Sequence, residues 1–167
     1  HRLDRATSGV LLIAKNAACA QNLSKSFHDD LCDKTYWAIV CGTPPEKFDI
    51  EEPLIKGGSS GSERMYVDPK GKYARTTGRR LHQQGEYALV ELKPVTGRTH
   101  QLRVHMAHLG TPIFGDSKYG APRAPFMALH AKHIRLPDPT TGKPISFSGI
   151  LPNAFERQLE KIGFENG

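Results

Sequence analysis

The run Ser8-Gly-Val-Leu-Leu-Ile-Ala14 is apolar without interruption, short and partly β-branched. That pattern predicts a strand buried on both faces. Beyond it, Asn16 is placed to cap a helix in which Leu23, Phe27 and Leu31 form a stripe at helical spacing, with Lys25, Asp29 and Asp30 facing water. Tyr36 to Cys41 reads as a second strand, closed by Gly42 and the Pro44-Pro45 turn. Residues 57–62, GGSSGS, are expected to form a flexible surface loop. Strand composition returns around 64–68, 73–80 and 86–93, with alternation clearest at Ala88, Val90 and Leu92. Thr99 to Leu109 is predicted helical, ended by Gly110 and Pro112. More strand is predicted around 128–136 and 144–149. A short helix should follow from about Asn153, with Phe155, Leu159 and Ile162 on one side. The sum is an α+β fold: a mixed, mostly antiparallel sheet with two main helices packed on it.

Composition narrows the function more than the fold. A chain of 167 residues, 38% hydrophobic, suits one globular domain across residues 1–167. No segment approaches the ~20 consecutive apolar residues of a membrane span. The start, HRLDRATSG, lacks the apolar run of a signal peptide. A soluble protein without a membrane partner is expected. Lys and Arg total 23 against 17 Asp and Glu, a net +6 that is compatible with a polyanionic partner but does not require one. Cys19, Cys32 and Cys41 show neither CxxC nor zinc spacing and read as reduced thiols in a reducing intracellular compartment. Neither GxxxxGK[ST] nor GxGxxG occurs, so the common nucleotide loops are absent.

Three segments can carry chemistry. His1-Arg2-Leu3-Asp4 precedes the first strand and puts a carboxylate where rigid scaffold meets solvent, although on this segment alone a turn-forming or capping Asp is the better explanation. In Thr96-Gly-Arg-Thr-His-Gln-Leu-Arg-Val-His105, a helix starting near Arg98 would place Arg98, Leu102, Met106 and Leu109 on one stripe. Arg98 would then point inward and need a facing acid, because an unpaired buried charge is very costly. His100, His105 and His108 lack the i, i+4 spacing of HExxH, and contacts to phosphate, water or backbone carbonyls suit them better than a metal. The third segment, Lys34-Thr-Tyr36, offers an aromatic ring that serves either as a core tyrosine or as a platform for a base.

Taken in order, HRLDRATSGVLLIAK, KTYWAIVCG, GKYART, TGRTHQLRVHMAHLGTPIFGDSKYG and LHAKHIRL resemble the RluA branch of the pseudouridine synthase superfamily, from residue 1 to about 150. The resemblance implies the pseudouridine synthase fold with a central active-site cleft. It also implies isomerisation of chosen uridines in RNA to pseudouridine, without cofactor or metal. Asp4 is then the catalytic aspartate and Arg98 the arginine paired with it, at an expected separation of roughly 2.7–3.2 Å. Tyr36 lies against the target base, Leu102 contributes to the substrate site, and Arg2 fills the gap left when the uridine flips out. Arg5, Arg103 and Lys118 are weaker candidates for the RNA backbone. Asp4 would act either as a nucleophile at C1′ or as a base at C2′. The resemblance does not select among ribosomal, transfer and messenger RNA, and a monomer is expected.

Members of that branch carry strands of the same sheet ahead of HRLD, so the sheet is expected to lack its N-terminal strands here. Two rival readings remain. A catalytically inactive RNA-binding domain of the same fold would have no use for Asp4, Tyr36 and Arg98 together. A glycoside hydrolase would need a second carboxylate about 5–10 Å from the first, and the sequence near HRLD suggests none.

Overall fold

The computed structural model describes residues 1–57 and 64–164. In chain order its elements are β1 (Ser8–Gly9), α1 (Ala17–His28), β2 (Asp33–Cys41), β3 (Lys47–Glu51), β4 (Leu54–Gly57), β5 (Arg64–Val67), β6 (Arg75–Gln84), β7 (Tyr87–Pro94), α2 (Gln101–His108), β8 (Leu129–Pro137), β9 (Pro144–Ser148) and α3 (Asn153–Ile162). Most strands join one sheet in the order β1-β8-β2-β7-β6-β3, with β9 also on β8. All its pairings are antiparallel except β1 with β8. β4 and β5 form a separate ribbon. The fold is therefore the α+β arrangement expected, a mixed and mostly antiparallel sheet.

Period-two alternation in β2 and β7 places the core. Tyr36, Ala38 and Val40 stand opposite Leu92, Val90 and Ala88. These side chains share the face that receives Leu102 and Met106 of α2. The intervening residues Ile39 and Leu89 face the other way, onto Phe155 and Leu159 of α3. The sheet is thus covered by a different helix on each side, which explains why its central strands are hydrophobic on both faces. Asn16 caps α1 as its sequence suggests, its side chain accepting from the Cys19 N–H at 2.9 Å.

Four expectations change. The segment 8–14 pairs only at Ser8–Gly9 and is not buried on both faces, since Leu11 is 48% and Ile13 80% exposed. Val10 and Leu12 turn toward Leu23 and Phe27 of α1. The reason is position: the segment runs at the outer edge of β8, where the described chain covers one side only. α1 stops at His28, with Asp30 in the left-handed region (φ 53), so Leu31 leaves the apolar stripe. Residues 47–51 (Lys-Phe-Asp-Ile-Glu), not among the predicted strands, form β3 on the edge of β6, their polar–apolar alternation burying Ile50. The third helix, α3, is a main element, closing one face of the sheet. The GGSSGS reading falls almost wholly outside the described residues.

Gly9 ties the entry loop to the sheet. Its φ is +115°, and a Cβ there would lie within 2.6 Å of the Ala131 backbone nitrogen. Both the backbone conformation and the close approach of β1 to β8 require glycine. Gly9→Ala is expected to cost about 2 kcal/mol or more. An unchanged urea midpoint for that variant would contradict this reading of the β1–β8 contact.

Candidate active site

A cleft of about 580 Å³ opens between the His1–Asp4 loop, the start of β2 and the Thr96–His100 loop that leads into α2. Asp4 is half-buried, its backbone carbonyl accepting from the Thr7 N–H at 2.8 Å in the turn that feeds β1. Its Oδ2 faces Arg103, whose Nη1 donates to it at 3.4 Å. The remaining edge of the same guanidinium is clamped by Asp116, through Nε to Oδ2 at 2.7 Å and Nη2 to Oδ1 at 2.8 Å. The Arg103 guanidinium also lies over the Tyr119 ring, 5.0 Å from its centroid. Burial works against the Arg103 charge, but Asp116 and then Asp4 outweigh it, and the pKa is raised. With Arg103 8% and Asp116 2% exposed, this is a buried ion pair that offers its third edge to the cleft.

The expected Arg98–Asp4 pair is not formed. Arg98 is exposed, its Nε donates to the Tyr73 carbonyl at 2.9 Å, and it makes no ion pair among the described residues. The helical stripe that pointed it inward does not reach it, because α2 begins at Gln101 and His100 adopts a left-handed conformation (φ 55) as N-cap. A residue outside the helix does not share its periodicity. Arg103, read from sequence as an RNA-backbone contact, instead has its guanidinium occupied by two carboxylates. The structure supplies the reason: every residue of Gln101–Met106 is buried, so an arginine in that run needs an acidic partner, which no local sequence pattern announces.

Asp116 is the second carboxylate that the sequence near HRLD did not suggest. Both its oxygens are taken by Arg103 and it is sealed from the cleft, so it holds the arginine and does not serve as a second acid facing substrate.

His100 completes this wall. The Tyr119 hydroxyl accepts from the Met65 N–H at 3.0 Å and is hydrogen-bonded to His100 Nδ1 at 2.7 Å. The other ring nitrogen, Nε2, faces Asp4 Oδ2 at 4.0 Å. Desolvation lowers the His100 pKa, against the pull of Asp4, and keeps the ring neutral.

Under the loop runs a buried network that explains the polar residues of the Thr96–His105 motif. The Gln101 carbonyl oxygen accepts from the Thr96 hydroxyl at 2.6 Å and the Arg98 N–H at 3.0 Å, while its amide donates to the Arg75 carbonyl at 2.9 Å and Thr76 Oγ1 at 3.0 Å. His105 donates from Nε2 to the Glu52 carbonyl at 3.0 Å and accepts from the Thr76 hydroxyl at 2.9 Å. This histidine is therefore a strut between helix and sheet, bonded to a backbone carbonyl.

The other candidates fall as follows. Tyr36 lines the cleft from β2, with its phenol pushed up to about 12 by burial and then by the Asp4 charge. Leu102 contributes to the cleft floor while packing in the core. Arg2 is exposed on the cleft wall, and Arg5 is exposed at the turn beyond Asp4. Lys118 is half-buried in the short turn at Ser117–Tyr119, close enough for its charge to act on His100.

Burial holds His100, His105 and His130 below the ordinary histidine value of 6.5. The unfolded chain binds those protons more readily, so unfolding takes up protons in acid. Their stabilising contribution is complete above pH 6.5 and is lost as pH falls through their folded values. The melting temperature should therefore drop steadily from about pH 7 toward pH 5, before the carboxylates titrate. A melting temperature flat or rising over that interval would show that these rings are not buried neutral.

Comparison with known proteins bears on the family and the fold. The family model described as RNA pseudouridylate synthase matches residues 1–108. An uncharacterized RNA pseudouridine synthase of Chloroflexus aurantiacus is 41% identical over 166 residues, covering 97% of this chain and 52% of its own length. The ribosomal large subunit pseudouridine synthase C of Rickettsia bellii is 40% identical over 164 residues, covering 94% of this chain and 54% of its own. The chain thus spans about half the length of these curated relatives. Among solved structures, human RNA pseudouridylate synthase domain containing 4 superposes with a TM-score of 0.83 at 28% identity, covering 97% of this chain and 74% of that one. On sequence and fold alike, the chain belongs to the RNA pseudouridine synthase family.

Proposed function

We propose that the protein converts chosen uridines in RNA to pseudouridine, with Asp4 as the catalytic carboxylate. The observation that carries this reading is the Asp4 carboxylate facing Arg103 across the wall of a cleft large enough for a nucleoside. The reaction is an isomerisation: N1–C1′ breaks, C5–C1′ forms, and the proton lost from C5 is balanced by one gained at N1. No electrons are gained or lost, so side chains alone suffice. Asp4 attacks C1′ or takes a proton from C2′, and Arg103 orients the carboxylate for either step.

Tyr36 remains a neutral phenol at working pH, since its hydroxyl titrates only near 12. Its role is accordingly a flat surface and hydrogen-bond donor for the flipped base, with Leu102 beneath it. Arg2, exposed at the mouth, is the residue that fills the space in the RNA left by the uridine. Arg5 and Lys118 add positive charge for the backbone.

The relatives named for the ribosomal large subunit make its RNA the first substrate to examine. The test is pseudouridine mapping across cellular RNA with and without the full-length gene. Loss of defined sites that return with the wild-type gene is expected. An unchanged map would favour an RNA-binding domain without catalysis.

A further inference from the structure

Lys34 enters none of the roles above, yet it lines the same cleft. It is half-buried on β2, two residues before Tyr36. Among the described residues its ammonium makes no hydrogen bond and no ion pair, feeling Cys32 and Asp30 only through longer-range electrostatics. Burial lowers its pKa, as befits a cation stripped of water without an acceptor in exchange. A side chain needed only for packing would not end in such a group.

The opposite wall is shaped to leave that ammonium open. A Cβ on Gly97 would stand 3.8 Å from Lys34 Nζ, with no other atom near it. The Gly97 backbone is outside the left-handed region, so its conformation does not call for glycine. What the missing side chain provides is access to Nζ. The next residue, Arg98, donates Nε to the Tyr73 carbonyl and also lines the cleft. Lys34 and Arg98 thus line the same cleft on either side of Gly97, with Asp30 also on its wall.

We propose that Lys34, reached past Gly97 and assisted by Arg98, is the seat for a backbone phosphate of RNA flanking the uridine in the cleft. The phosphate supplies the acceptor that the folded chain withholds from Lys34. A nucleotide anchored there and at Asp4 is fixed at its backbone and at its ribose, which sets the sugar's orientation toward the carboxylate. The inference rests on the isomerase reading for the identity of the RNA, but its test does not depend on turnover.

The test is binding of a short uridine-rich single-stranded RNA, read by fluorescence anisotropy across a salt series. Lys34→Met is expected to weaken binding several-fold and to lower the log K against log salt slope by about 0.7, the loss of one phosphate contact. Lys34→Arg should retain the slope. Gly97→Leu, at an exposed loop position, should cover Nζ and reproduce the Lys34→Met loss even if that core-strand variant folds poorly. Folded Lys34→Met with wild-type affinity and slope overturns the proposal, as does Gly97→Leu with wild-type binding. Wild-type protein that binds RNA with a Lys34-dependent slope yet forms no pseudouridine would sink the isomerase reading and keep the phosphate seat. Turnover with a Lys34-independent slope would do the reverse.

Discussion

Asp4→Asn should reduce pseudouridine formation by at least about 10³-fold, the scale expected when a nucleophile or general base is removed from a positioned site. Asparagine keeps the shape of the side chain but neither attacks C1′ nor accepts a proton from C2′. Its carbonyl oxygen can still turn toward Arg103 Nη1, so the buried Arg103–Asp116 pair stays intact. Asp4 also lies in a half-buried loop before β1 and contributes no core packing. Folding and RNA affinity are therefore expected to survive. The measurement is single-turnover conversion alongside RNA binding and thermal unfolding. Near-wild-type conversion would remove Asp4 from the mechanism.

Arg103 is the second large effect, and it differs in kind because stability falls with activity. Replacing it with Met leaves Asp116 buried with neither oxygen paired, a defect that costs roughly 3–5 kcal/mol in comparable buried pairs. Asp4 loses the charge facing it as well. Lys restores a point charge but not the two-pronged grip on Asp116 or the third contact to Asp4, so its rescue should be partial. The double variant Arg103→Met with Asp116→Asn separates the two losses. It should recover stability, since an amide tolerates burial better than an unpaired carboxylate, while conversion stays low. Arg98→Met, by contrast, should cost under about 1 kcal/mol, as exposed groups generally do. It should leave chemistry at saturating RNA largely intact. Equal losses from Arg98 and Arg103, with Arg103→Met fully folded, would restore Arg98 as the aspartate's partner. Urea unfolding and single-turnover rates make the comparison.

These variants also mark how far the sequence could be read. Arg98 and Arg103 both lie in one motif, and periodicity points Arg98 inward only if the helix includes it, whereas α2 begins three residues later at Gln101. The boundary is set by His100, whose left-handed backbone at the N-cap is held in place by the Tyr119 hydroxyl. Tyr119 is nineteen residues on, and nothing local announces that contact. Asp116 escaped notice for the same reason, since its role exists only once the turn after α2 folds back onto that helix.

What the sequence determined by itself are the features whose physics is local. Alternation at Ala88, Val90 and Leu92 specifies a strand, Asn16 caps α1, and the apolar spacing of Phe155 and Leu159 specifies α3. The long motifs named the family, and with it the fold class and Asp4 as the candidate carboxylate. Tertiary structure decided which charges meet. It paired Asp4 with Arg103, sealed Asp116 behind that pair, and brought Lys34 against Gly97 without an acceptor among the described residues. It also exposed Leu11 and Ile13, whose burial depends on what lies beside the sheet edge and not on their own hydrophobicity. Electrostatic pairing acts between side chains brought together from distant parts of the chain, in an environment whose dielectric the fold itself creates. Residue type and spacing constrain those pairings, but only the packed chain selects among them.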